Sequence, residues 1–232
     1  MKKSRVEFII DKDLDFQNHL VGARVFSLNT NFSKETNLYF EKFKEATENE
    51  KMEMFEKKSE KFYSAEFVST RNLLLKQIQE MWNLTEDEYF KRMEKIHQNK
   101  FPLEKIYGVL STTPTIYGYN LNVDKPWFAC KYDYPLRAVS TAMHEIMHVF
   151  FAKYFLDKYK NKFNLDEKQI HDVKESLTVI LNLELGDIRF FLDTDNPGQE
   201  ELRKKVKESW LKYKDIDKVL EEACVFIKNS KS

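Results

Sequence analysis

The chain is poor in the residues that mark several large protein classes. Its 232 residues include two cysteines, Cys130 and Cys224, too few for a disulfide framework. Reduced thiols in a cytoplasmic protein are the simpler expectation. With five glycines and five prolines, no stretch reads as a flexible linker, and there is no repeat or low-complexity tract. No apolar run approaches the length of a membrane span, and the three-residue run before Asp11 is short for a signal peptide, so neither anchor nor leader is expected. Net charge is also missing: 38 basic residues balance 38 acidic ones. No net field favours nucleic acid or an anionic membrane, and neither is expected as a partner.

What is present is a globular composition, 42% hydrophobic and 14% aromatic, enough for one well-buried core or a core with a helical appendage. The stretch RVEFII (5–10) reads as a strand. Ser33 to Asn83 contains neither glycine nor proline, and Phe40, Phe43, Phe55, Phe62 and Phe67 recur at helical spacing. One or two long amphipathic helices are predicted there. Thr85 followed by Glu88 has the form of a capping box, predicting a new helix that stops before Pro102.

The texture changes over 105–135, which hold three of the five prolines and many β-branched or aromatic residues. Two or three short strands are expected. Helix returns after Pro135, over about 136–159 and, past a polar loop at 160–164, about 166–187. A turn at 193–198 and two further amphipathic helices close the chain. The fold class expected is α+β and mostly helical, with long N-terminal helices. A mainly helical region, 1–103, and a second region, 104–232, would form one compact unit.

One segment of the second region stands out. TAMHEIMHVF (141–150) puts two of only five histidines, with a glutamate, into otherwise apolar helix. Burying such groups without partners is unfavourable. His144 and His148 are four residues apart, so both rings leave one helix face and can reach a single Zn²⁺. Glu145, beside them, is suited to take a proton from water at the metal, as a general base. A chain of this composition yields H-E-x-x-H by chance about one time in a hundred.

Through HEIMH at 144–148 the sequence resembles the zincin metallopeptidases, over roughly residues 104–190. The resemblance implies one catalytic zinc, hydrolysis of a peptide bond, and a small sheet packed on the helix that carries the motif. Within the superfamily the metzincin pattern is broken, since Phe151 stands in place of its glycine and Tyr154 in place of its third histidine. The gluzincin pattern, with a glutamate from a following helix, implies Glu175 as third ligand. Glu175 stands at the mouth of the uncharged run Ser176 to Leu183, where a carboxylate is costly unless paired or bound to metal.

Alternatives remain for that place. His171 shares a helix face with Glu175, as a ligand or as a group that orients a ligand or stabilises the transition state. Glu184 and Asp187 read as a solvated helix end, and Asp172 and Asn182 are weaker candidates. Val179 stands where gluzincins often carry a polar orienting residue. Peptide deformylases, which share the motif, take an upstream cysteine. Cys130 lies upstream, but its surroundings differ from theirs, and a buried inert thiol is expected.

Tyr117, Tyr119, Tyr132 and Tyr134 precede the motif. Tyr119 is the candidate oxyanion donor among them, although packing on a half-buried sheet accounts for them all. An edge strand within 115–122 would suit an extended peptide by strand addition. Arg203 could bind a substrate carboxylate, but a place at the surface is the expectation. The function expected is a single-zinc, gluzincin-like peptidase acting on a peptide or protein. The opposing expectation is a non-catalytic helical interaction module with a structural or vestigial zinc.

Overall fold

A computed structural model describes residues 4–26, 33–114, 118–132, 134–193 and 198–230. Tyr117, residues 115–117 of the expected edge strand and 194–197 of the expected turn lie outside them. The architecture is α+β and mostly helical, with one four-stranded mixed sheet among the described residues. No helix among them is long and apolar enough to cross a membrane. The chain forms two compact units, 1–84 with 104–145, and 85–103 with 146–232.

The first unit holds the sheet, in the order β1-β2-β4-β3. Strand β1 (Val6–Ile9) pairs parallel with β2 (Ile106–Ser111), and β2 parallel with β4 (Trp127–Lys131); β3 (Tyr119–Asn120) is an antiparallel edge. Gly108 is opposite both Phe8 and Phe128. A Cβ there would meet Phe8 at 2.6 Å and Phe128 at 3.1 Å, so the missing side chain lets the two rings meet edge to face, 6.2 Å apart. The outer edge of β1 is covered by Gln79, which accepts from Phe8 N at 2.9 Å and donates to Val6 O at 3.2 Å.

Helix α1 (Lys12–Val25), which the sequence pattern did not reveal, follows β1 and is capped by Asp11. Its buried face is partly polar. Asp15 Oδ1 accepts from Ser111 Oγ at 2.6 Å and Thr112 N at 2.9 Å. Its Oδ2 accepts from Thr112 Oγ1 at 2.8 Å and Tyr63 OH at 3.1 Å. Burial raises the Asp15 carboxyl above its ordinary range, against the pull of these bonds. His19 is also buried, between Tyr39 OH at 2.6 Å and Thr112 Oγ1 at 3.1 Å.

The stretch 33–83 holds three helices, not one or two, and the third runs on past it. Helix α2 (Lys34–Glu45) ends at Ala46, and Thr47 with Glu50 builds a capping box for α3 (Glu48–Tyr63). After a 3-10 turn at Ala65–Phe67, α4 runs unbroken over Val68–His97. The capping box expected at Thr85 is therefore absent. Glu88 turns forward to Arg92 at 2.8 Å and Lys91 at 3.3 Å, the i+4 and i+3 partners of a helix interior.

Helix α5 (Pro135–Tyr154) carries the motif and continues from the first unit into the second. The single helix expected over 136–159 is two, broken at Phe155 and resumed as α6 (Leu156–Phe163), with Asn164 in the left-handed region closing it. No proline or glycine marks this break. The helix expected over 166–187 is also two, α7 (Glu167–Ser176) and α8 (Val179–Glu184). Here the cause is local: Ser176 Oγ bonds Val173 O and Thr178 Oγ1 bonds Glu175 O, both at 2.8 Å. These hydroxyls compete with the helix ladder. Helices α9 (Glu200–Tyr213) and α10 (Ile216–Asn229) follow as expected. In this unit the His97 ring lies 4.6 Å from Phe150 and 5.8 Å from Phe155.

Candidate metal centre

Helix α5 is apolar enough to bury Met143, Ile146, Met147, Val149 and Phe150 completely, which fixes its rotation and leaves little choice for the polar residues between. His148 is 1% exposed and Glu145 4%. His144, a turn before His148, is half-buried. Glu175 comes from the last turn of α7, whose start is set by an Asp166–Gln169 capping box.

One donor atom each from His144, His148 and Glu175 lie within 4.8 Å of one another. Among the described residues no fourth histidine, cysteine, aspartate or glutamate joins them. His148 Nε2 is 3.4 Å from Glu175 Oε2, longer than the usual 2.9–3.0 Å or so of a direct hydrogen bond. Two donors each ~2.0–2.1 Å from zinc at a tetrahedral angle sit about 3.3–3.4 Å apart. Both the donor set and this spacing fit the metal.

The rest of the surroundings sort the other candidates. His171 Nδ1 lies 3.9 Å from Glu175 Oε1, so it stands behind the carboxylate. Burial, then the Lys174 charge, lowers its pKa, with Glu175 opposing. Lys174, which the sequence reading passed over, is 2.7 Å from the same oxygen. Cys130 is outside the cluster and fully buried, and burial followed by the Glu145 charge pushes its thiol up, away from the thiolate a metal needs. Asp172 accepts from Lys168 at 2.6 Å and Gln199 at 2.9 Å. Asp187 is engaged by Arg92, and Glu184 by Trp210 and Lys214. Asn182 is bonded to Asp193 and Arg189. Tyr119 is half-buried in β3, opposite Phe128. Tyr132 packs 4.3 Å from Phe62, and Tyr134 is exposed.

Arg203 corrects its expectation. It is 3% exposed, and Nη1 donates to Thr178 Oγ1 at 2.9 Å and to Glu175 O at 3.4 Å. A cation on the last carbonyls of α7 caps that helix end favourably, and it holds the backbone from which Glu175 projects.

No protein-family model matches the chain, no curated protein matches it, and no solved structure matches its fold.

Proposed function

We propose that the chain is a zinc-dependent peptidase, with His144, His148 and Glu175 holding one Zn²⁺ and Glu145 acting as general base. The observation that carries this reading is the gathering of two imidazoles and one carboxylate within 4.8 Å, with no fourth histidine, cysteine, aspartate or glutamate joining them among the described residues. A structural zinc is normally closed by four protein ligands, whereas a catalytic one keeps a place open. When bound, zinc acidifies water and polarises a carbonyl. Glu145, next to His144 on α5, takes the proton of the attacking water and returns it to the leaving amine. The substrate is a peptide or protein. A cytoplasmic setting is supported by two buried thiols, Cys130 and Cys224, that form no disulfide.

One observation favours the second reading, a non-catalytic helical module with a structural zinc: Glu145 is only 4% exposed, which gives a base little access to water. Glu145→Gln separates the two. Metal content and cleavage of a broad peptide library are measured for both proteins. The peptidase reading expects one zinc per chain in each and hydrolysis by the wild type alone. Wild type that binds zinc and cleaves nothing supports the module. Wild type that neither contains nor takes up zinc sinks both.

A further inference from the structure

Glu175 presents its two oxygens to different neighbours. Oε2 faces His148 Nε2 at 3.4 Å. Oε1 faces Lys174 Nζ at 2.7 Å, with His171 Nδ1 at 3.9 Å beyond it. Neighbours at i and i+1 do not face each other on a helix, so Lys174 reaches Glu175 only by folding its stem back along the same turn. At the spacings where a helical lysine would ordinarily find a partner stand Ile170, His171, Leu177 and Thr178, none of them a carboxylate. The contact is also largely out of water, with the two side chains 16% and 14% exposed. It is therefore screened less than a surface pair.

Resting on the zinc reading above, we propose that Lys174 is a positioning residue for the metal: it holds Oε1 of Glu175, so that Oε2 alone is offered beside His148. The consequence is a donor count. With one carboxylate oxygen the protein supplies three donors, and the fourth place stays open. With both oxygens turned inward the same three residues supply four, and any further ligand makes the metal five-coordinate. Arg203 and Thr178 hold the backbone carbonyl of Glu175. Lys174 holds the carboxylate itself, so the two devices act on different bonds of one residue.

The test uses Co²⁺ in place of zinc, because its visible absorption weakens and shifts as the donor set changes. Wild type, Lys174→Met and Lys174→Arg are loaded with Co²⁺, and their cobalt content and spectra are compared. Lys174→Met should retain one cobalt per chain, lose intensity in the visible band, and lose turnover. Lys174→Arg, which keeps a donor and the charge, should keep the wild-type band. A Lys174→Met spectrum superimposable on the wild type at equal cobalt content overturns the proposal and leaves the metal reading standing. Wild type that takes up neither cobalt nor zinc removes both. Circular dichroism of the metal-free variants checks the fold, and Lys174→Gln carries the same comparison if the methionine variant fails to fold.

Discussion

Lowering the pH from 7.5 to 5 should destabilise the protein through histidines kept neutral in its interior. His19 and His97 are 0% and 1% exposed. Burial is the main cause that pulls each from the ordinary 6.5 to about 3, with the Lys58 charge helping at His19 and the Met93 backbone opposing at His97. The folded pKa lies below the unfolded one, so the unfolded chain takes up the proton first, and stability is lost as pH falls from about 6.5 toward about 3. At pH 5, about 1.5 units below the unfolded value, each residue accounts for about 2 kcal/mol relative to pH 7.5, at roughly 1.36 kcal/mol per unit. Most unfolded carboxylates are still ionised there, so this window belongs chiefly to histidine.

The two histidines differ in what a substitution would disturb. His19 bonds the side chains of Tyr39 and Thr112, whereas His97 has no side-chain partner among the described residues, only the Met93 backbone beside it. His97→Leu therefore deletes one titration and strands no side-chain partner. In urea unfolding of chelator-treated protein, this variant should lose about 2 kcal/mol less than wild type between pH 7.5 and 5. In thermal melts at pH 5 the difference is ~4–8 °C for a chain of this size. The same pH dependence in variant and wild type would refute the claim that His97 is held neutral by burial.

Two further outcomes are expected. Glu175→Ala should weaken zinc binding by more than the ~10–100-fold typical of residues that only orient a ligand, with His171→Ala within that range; competition against a chromophoric chelator measures both. Asp15→Ala should cost about 2–4 kcal/mol in equilibrium unfolding, because the hydroxyls of Ser111, Thr112 and Tyr63 can turn to other partners while the Thr112 N–H cannot. Asp15→Asn should cost less, and equal costs would show that these bonds are not what the carboxylate supplies.

The motif could be read directly because it is a property of one helix. Four-residue spacing puts His144 and His148 on one face whatever the rest of the chain does, and Glu175 stands out as a charge at the edge of an uncharged run. Helix α1 escaped because it buries Asp15, Asn18 and His19, and apolar periodicity cannot show a face whose partners, Ser111 to Thr113, are polar and almost a hundred residues away. Thr85 and Glu88 have the right letters for a cap, but capping needs a chain break that only the packing of α4 decides. Lys174 was passed over for a geometric reason, since adjacent helical residues diverge. Arg203 was placed at the surface by composition, and it is the carbonyls at the end of α7 that make its burial affordable.

The register of the sheet has a consequence for synthesis. Val6 pairs with Ile106 and Ile9 with Val109, so β1 leaves the ribosome long before its partner exists. At about 5–20 residues per second the wait is roughly 5–20 s. Through it the apolar side chains of Val6 and Phe8 and the hydrogen-bonding edge that β2 will occupy stand open to any other extended chain. Gln79 emerges before β2 and so can bond β1 before β2 exists. A nascent chain stalled after α4 but before β2 should therefore be more prone to aggregate, and to recruit chaperones, than one stalled after β4.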